Sequence, residues 1–240
     1  MNAGAAPPLE VYGRALAAAA AGVHAPLVLV GVDGVPVRQD VRRWTADADA
    51  ADERMLDRCD GPTIDLGCGP GRLTAALARR GLPALGVDLS PVALAVAAGR
   101  GALALRRDLF RSLPGEGRWA TVLLADGNVG IGGDPARLLR RVARLVAPGG
   151  RTVVEVHPAD ADRRGPVRVV GANGVVSAAF PWAVVGAAAL ERDAASAGWS
   201  CAERWDDTGR AFVLLTLTGK VRDGEGGGAS GRGGRGGARR

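Results

Sequence analysis

The sequence predicts an α/β protein: a mostly parallel sheet with helices on both faces and an antiparallel finish. Three observations predict it. From Thr63 onward, short apolar runs alternate with stretches of helical spacing, the pattern of strands joined by crossover helices. Two of those helical stretches open on a capping residue followed by proline, Ser90-Pro91 and Asp134-Pro135, which is how a helix starts. The last two apolar runs flank Asp207-Thr208-Gly209, a turn that makes them an antiparallel pair.

In chain order, residues 9–21 read as an alanine-rich helix stopped by Gly22 and Pro26. Residues 27–37 read as two short strands around Asp33-Gly34, a hairpin dipeptide. Residues 38–58 carry Val41, Trp44, Met55 and Leu56 among charges and read as a helical cap. Then come a strand over 62–66, a glycine turn, and a helix over 72–80 closed by Gly81. A second strand, 84–87, ends at Asp88, and a third, 102–105, is followed by Asp108. Residues 120–125 are a fourth strand. After Asp134 a helix presents Leu138, Leu139, Val142, Leu145 and Val146 on one face. Pro148-Gly149-Gly150 breaks it, and residues 152–156 form a fifth strand. Residues 167–170 and 175–180 read as an inserted hairpin around Asn173-Gly174, and 184–197 as a helix. Residues 201–205 and 211–218 complete the sheet. The chain therefore divides into an N-terminal extension and cap (1–58), a main domain (59–220) and a Gly/Arg-rich tail (221–240). The tail is expected to be disordered, because nothing in it buries apolar surface.

The charge is less informative than it looks. The chain of 240 residues carries 31 Lys+Arg against 25 Asp+Glu, a net +6. Lys220 is its one lysine, so the basic character is almost all arginine. Half of the excess sits in residues 224–240, with four arginines against one glutamate. The remainder is ordinary, so nucleic acid is a possible partner but not the favoured one. An apolar fraction of 47% excludes a chain disordered throughout. Cys59, Cys68 and Cys201 are an odd number without a CxxC pair. They fit neither a disulfide framework nor a zinc site, and point to the reducing cytoplasm. Residues 15–32 lack charge but are mostly alanine, broken by Gly22, His24 and Pro26. They are a poor membrane span. No metal and no membrane is expected, and oligomeric state is not legible.

The informative segment is Asp65-Leu66-Gly67-Cys68-Gly69-Pro70-Gly71-Arg72. A buried strand runs into glycines, which let a ligand approach the backbone, and then into a helix N-terminus. An acid at the end of the second strand, Asp88, is placed to accept hydrogen bonds from both hydroxyls of a ribose. Dinucleotide folds want a small residue where Arg72 stands, and an acid such as Asp65 would repel a pyrophosphate. The set suits a cationic ligand and disfavours a nicotinamide oxidoreductase.

This combination resembles the class I S-adenosylmethionine-dependent methyltransferases, over residues 63–156 and more weakly to 218. Asp65 to Gly71 resembles the loop that wraps the methionine portion, and Gly86-Val87-Asp88-Leu89-Ser90 the ribose segment. Arg107-Asp108-Leu109 resembles the adenine-binding segment, and Leu124-Ala125-Asp126-Gly127-Asn128 the end of the fourth strand, near the methionine amine and the acceptor. Residues 145–150 resemble the turn before the fifth strand. The resemblance implies a seven-stranded, Rossmann-like sheet with an antiparallel last strand. It implies S-adenosylmethionine as cofactor, bound by Asp65, Gly67, Cys68, Gly69, Gly71, Asp88, Leu89, Asp108, Leu109, Asp126 and Gly127.

The fourth-strand Asp/Asn-Pro-Pro-Tyr/Phe motif of amine- and base-methylating members is absent, replaced by a glycine-rich loop over 126–134. That loop is expected to shape the methionine or acceptor pocket. Methyl transfer needs alignment first and a base for a hydroxyl or thiol acceptor. Asp126 and His157, at strand C-terminal ends, are the catalytic candidates. Trp44, Phe180 and Trp182 are weighed as pocket walls against simple packing, with packing favoured. Arg38, Arg42 and Arg43 are read as a solvated face. The favoured function is methyl transfer to a small molecule. The alternatives are an RNA methyltransferase anchored by the basic tail and a non-catalytic S-adenosylmethionine- or nucleoside-binding regulator.

Overall fold

A computed structural model describes residues 5–218; the tail assigned to 221–240 lies outside them. The main sheet has seven strands in the order β10-β11-β7-β6-β3-β4-β5. Its members are β3 (Thr63–Leu66), β4 (Ala84–Asp88), β5 (Ala104–Arg106), β6 (Trp119–Leu124), β7 (Val146–Val156), β10 (Trp199–Asp207) and β11 (Arg210–Leu217). Strands β3 to β7 run parallel, while β11 pairs antiparallel with both β7 and β10. This is the α/β architecture that the alternation of apolar runs predicts. Strand β3, between β6 and β4, is buried along its whole length, as expected of a strand covered on both faces.

Three of the helices start where the sequence marks them. The Ser90 side chain accepts from the Ala93 amide at 3.2 Å to cap α5 (Pro91–Gly99). Asp134 accepts from the Arg137 amide at 2.9 Å to cap α6 (Pro135–Ala143). Helix α4 (Arg72–Arg79) begins at Gly71, whose φ of 76° is left-handed. A Cβ there would press on Ala97 and Ala102 at 2.8 and 2.9 Å, so Gly71 is fixed by the packing of α5 as well as by its turn. Helix α6 and α7 (Ala187–Ser196) bury Leu138, Leu139, Val142 and Leu190 on one face of the sheet. Helix α4 and α3 (Ala50–Leu56) bury Leu73, Leu77, Met55 and Leu56 on the other.

A second sheet departs from the expectation. It has four antiparallel strands in the order β2-β1-β8-β9: β1 (Leu27–Gly31), β2 (Pro36–Gln39), β8 (Asp162–Val170) and β9 (Phe180–Val185). Both hairpins exist, but the inserted one is longer and shifted. Its strands pair Asp162 with Val185 and Val167 with Phe180, so Val184 and Val185 belong to β9 and not to α7. The N-terminal segment is therefore more than a helical cap: β1 pairs with β8 and joins the insertion. A lone hairpin is marginal in water, and each one completes the other. Under this sheet lies a third core. Val11 and Leu16 of α1 (Pro8–Ala20), Leu27, Leu29, Val167 and Val169 meet there, with α2 (Val41–Thr45) at its margin.

Candidate functional site

Between the C-terminal ends of the parallel strands and the second sheet lies a cavity of about 400 Å³. Its lower wall comes from the strand ends. Asp65 lies in β3 and Gly67, Cys68 and Gly69 follow it, Asp88 ends β4 and Leu89 follows, Asp108 and Leu109 follow β5, and Asp126 follows β6. Its upper wall comes from α1, α2 and the small sheet.

Each acid of the lower wall has a defined partner. Asp65 is buried and accepts from the Thr74 hydroxyl at 2.8 Å. Burial pushes its pKa up to about 7, against the Thr74 hydrogen bond and with the charges of Asp126 and Asp88 adding to the rise. Asp88 accepts from the Gly69 amide at 2.9 Å and from the Ser90 amide at 2.7 Å, one on each oxygen. Burial raises its pKa, opposed by those amides. Each oxygen keeps a lone pair, so two ribose hydroxyls still fit it. Asp108 accepts from the Phe110 amide at 2.9 Å through one oxygen. Gly67 takes a φ of 76°, and a Cβ there would sit 2.7 Å from the Asn128 amide nitrogen. Asn128 in turn donates to the Leu66 and Gly67 carbonyls at 3.1 and 2.9 Å, tying the glycine turn to the loop after β6. Cys68 packs its thiol against Gly86, and burial raises the thiol pKa further above the usual range.

Asp126 is occupied. It takes a left-handed φ of 54°, and its amide donates to Glu155 at 2.7 Å. One carboxylate oxygen accepts from Arg43 and the other from Arg72 at 2.8 Å. Arg72 is 3% exposed and also meets Asp52, which is 0% exposed. Burial lowers the pKa of Arg72, opposed first by Asp126. Arg210 closes the network on Glu155 and Asp52, each at 2.9 Å. Asp126 lines the cavity as expected but is engaged by two guanidiniums, so any role it has as a base would draw on a carboxylate held in this network. Arg43, read as a solvated cation, is a half-buried member of this network.

His157 lies at the margin: its Nδ1 accepts from the Ala159 amide at 3.2 Å, and it lines an adjoining recess of about 190 Å³ that shares Leu29, Gln39, Trp44, Asp126 and Trp182 with the main cavity. Gly127 borders that recess and not the main cavity. Gly71 stays behind the wall as the start of α4. The other proposed cofactor residues converge on the main cavity.

The loop over 126–134 has a different reason for its glycines. A Cβ at Gly130 would run into the Ala183 carbonyl of β9, and one at Gly133 would meet Pro181 at 3.1 Å. Those two glycines are needed for close approach by β9, while Asn128, Ile131 and Gly132 of the same loop line the main cavity. Trp44, Phe180 and Trp182 do line the cavity, besides packing. The residues missed are Tyr12, Leu27, Leu29 and Gln39. Burial, then the charges of Asp88, Cys68 and Asp126, raises the pKa of Tyr12 well above that of an ordinary phenol. Nothing near these residues in sequence marks them. Their place depends on pairing between distant strands.

Among the described residues, no helix is long and apolar enough to cross a membrane and no acid, His or Cys cluster is arranged for a metal. Residues 64–150 match the family described as "Methyltransferase domain". A search of curated proteins found no match. Among solved structures, the chain is similar to a Bacteroides fragilis S-adenosylmethionine-dependent methyltransferase in complex with S-adenosyl-L-homocysteine. The TM-score is 0.70 at 20% identity, covering 88% of this chain and 94% of that one. It is also similar to the glycopeptide N-methyltransferase MtfA complexed with S-adenosylmethionine (0.55, 15% identity, 72% and 95% covered). A third is the sugar N-methyltransferase KedS8 from Streptoalloteichus sp. ATCC 53650 (0.53, 20% identity, 73% and 88% covered).

Proposed function

We propose that this chain, whose residues 64–150 match a methyltransferase domain, is an S-adenosylmethionine-dependent enzyme that transfers a methyl group to a small-molecule acceptor. One observation carries the reading. A single cavity runs from the glycine turn, Asp88 and Asp108 to the aromatic wall of Trp44, Phe180 and Trp182. A nucleoside end and an acceptor can therefore sit side by side in it. Small-molecule acceptors are further supported by the glycopeptide and sugar N-methyltransferases of similar fold.

The chemistry on the wall fits the cofactor. Asp88 would hold the ribose hydroxyls, Asp108 and Leu109 would flank the adenine, and Asp65, Gly67 and Gly69 would border the methionine portion. When bound, the cofactor supplies an electrophilic methyl on a sulfonium. The protein's task is then to align the acceptor with it and to exclude water. The three free cysteines among the described residues fit a cytoplasmic enzyme.

Calorimetry with S-adenosylmethionine tests the reading. One site with a micromolar Kd is expected, and no heat of binding at millimolar ligand would overturn it.

A further inference from the structure

The cavity wall is segregated by charge. Its charged residues, Asp65, Arg72, Asp88, Arg107, Asp108 and Asp126, all belong to the ends of the parallel strands, the loops after them and the helix start that follows β3. The small sheet contributes Leu27, Leu29, Gln39, Val169, Phe180 and Trp182, none of them charged. Phe180 and Trp182 meet edge to face with centroids 6.1 Å apart, and Tyr12 meets Trp44 likewise at 5.9 Å. The polar groups on this side are uncharged: the Tyr12 hydroxyl, the Trp44 and Trp182 indole N–H groups and the Gln39 amide. Gln39 donates one amide N–H to the Val37 carbonyl at 3.2 Å, which leaves its second N–H and its carbonyl oxygen for an uncharged polar group in the cavity.

Resting on the methyl-transfer reading above, we propose that the small sheet is the acceptor site, and that it takes an uncharged acceptor with a flat apolar body, methylated on nitrogen. A carboxylate, phosphate or ammonium placed against this wall would leave water without a counter-ion, which is costly. The apolar rings match a planar body. The choice of nitrogen follows from the proton. Asp126 has both oxygens on guanidiniums, His157 lines the adjoining recess, and Asp65, although its pKa is about 7, is buried in β3 with one oxygen on the Thr74 hydroxyl, on the opposite wall from the small sheet. The small sheet itself thus offers no base for a hydroxyl, which is a weak nucleophile until deprotonated. An amine attacks in its uncharged form, which burial against apolar surface favours. Its lone pair forms the N–C bond to the methyl carbon as the S–C bond breaks. That electron pair stays on sulfur, giving S-adenosylhomocysteine, and the extra proton on nitrogen leaves to water.

Three probes of one shape test this: 2-naphthylamine, 2-naphthol and 2-naphthoate. Each is titrated by fluorescence into full-length protein saturated with S-adenosylhomocysteine, then offered with methyl-labelled S-adenosylmethionine. The amine and the naphthol should bind at least 10-fold more tightly than the naphthoate. The amine should gain a methyl at least 100-fold faster than the naphthol. Phe180→Ala should weaken amine binding about 10-fold while S-adenosylhomocysteine affinity stays within two-fold, which also shows that the variant folds. Leu29→Lys should turn the preference toward the naphthoate. Equal binding of the naphthoate to the native protein, equal methylation of the naphthol, or no naphthyl binding to protein that holds S-adenosylhomocysteine would overturn the proposal. In the last case the methyl-transfer reading stands. Failure to bind S-adenosylhomocysteine at all would instead fall on that reading.

Discussion

The two walls of the cavity are held by different physics. The lower wall is charged and locked by short, specific contacts: Asp88 on two amides, Asn128 on two carbonyls, Asp126 between two arginines. The upper wall is uncharged and held by strand pairing across the chain, with Val28 opposite Val170, over an apolar core. Polar locks fix atoms in place for a ligand of fixed structure. An apolar wall fixes shape and leaves its occupant to be chosen by size and charge. The division suggests that the lower wall serves the invariant cofactor and the upper wall the variable acceptor.

The comparison can be broken at its most expensive point first. Arg72→Leu removes the cation shared by Asp52 and Asp126, leaving two carboxylates short of a partner. It should cost about 3–5 kcal/mol, read as a lower urea midpoint, because half of a buried ion pair is worse than none. An unchanged midpoint would mean that the network is not structural.

Next comes the seam between the walls. Gly130→Ala drives a Cβ into the Ala183 carbonyl and should cost about 3 kcal/mol. In a domain of this size the melting temperature should drop by roughly 6–12 °C. Gly127→Ala in the same loop meets nothing within 4 Å. It pays only for its left-handed φ of 78°, about 1 kcal/mol. Equal losses at the two glycines would show that the seam is not a close contact.

A smaller effect sharpens the electrostatics. Asp65 has its pKa raised from 3.8 to about 7, so the folded state holds a proton that the unfolded state releases. The stability from that proton is full below about pH 4 and is lost as pH rises through about 7. Its ceiling is about 4 kcal/mol, at 1.36 kcal/mol for each of about three pKa units. Asp65→Asn should flatten the urea midpoint between pH 4 and 8. For the native protein near pH 7, taking up a cationic ligand beside Asp65 should release a fraction of a proton, seen in calorimetry across buffers of different ionisation enthalpy.

What was legible follows the same line. The five parallel strands, the caps at Ser90 and Asp134, and the acids at strand ends rest on neighbours in sequence, so the sequence displayed them. Strand β7 starts at Val146, earlier than residue 152. Trp119 pairs with Val146 across it, and that pairing overrides the Pro148-Gly149-Gly150 signal. The four-stranded sheet, and with it Tyr12, Leu27, Leu29 and Gln39 as lining, rests on β1 finding β8. No local pattern encodes that step. The surroundings of Asp126 and His157 were illegible for a related reason. Position at a strand end places a residue near the site, but partners from distant segments, such as Arg43, decide what it is free to do.

The central claim is that cofactor and acceptor are held by separate walls. Titrating S-adenosylhomocysteine calorimetrically into Asp88→Ala and Phe180→Ala beside the native protein tests it most directly. Losing hydrogen bonds from two hydroxyls to a carboxylate should weaken binding to Asp88→Ala about 100-fold, while Phe180→Ala should stay within two-fold. Equal losses in the two variants, or a larger loss at Phe180, would contradict the account.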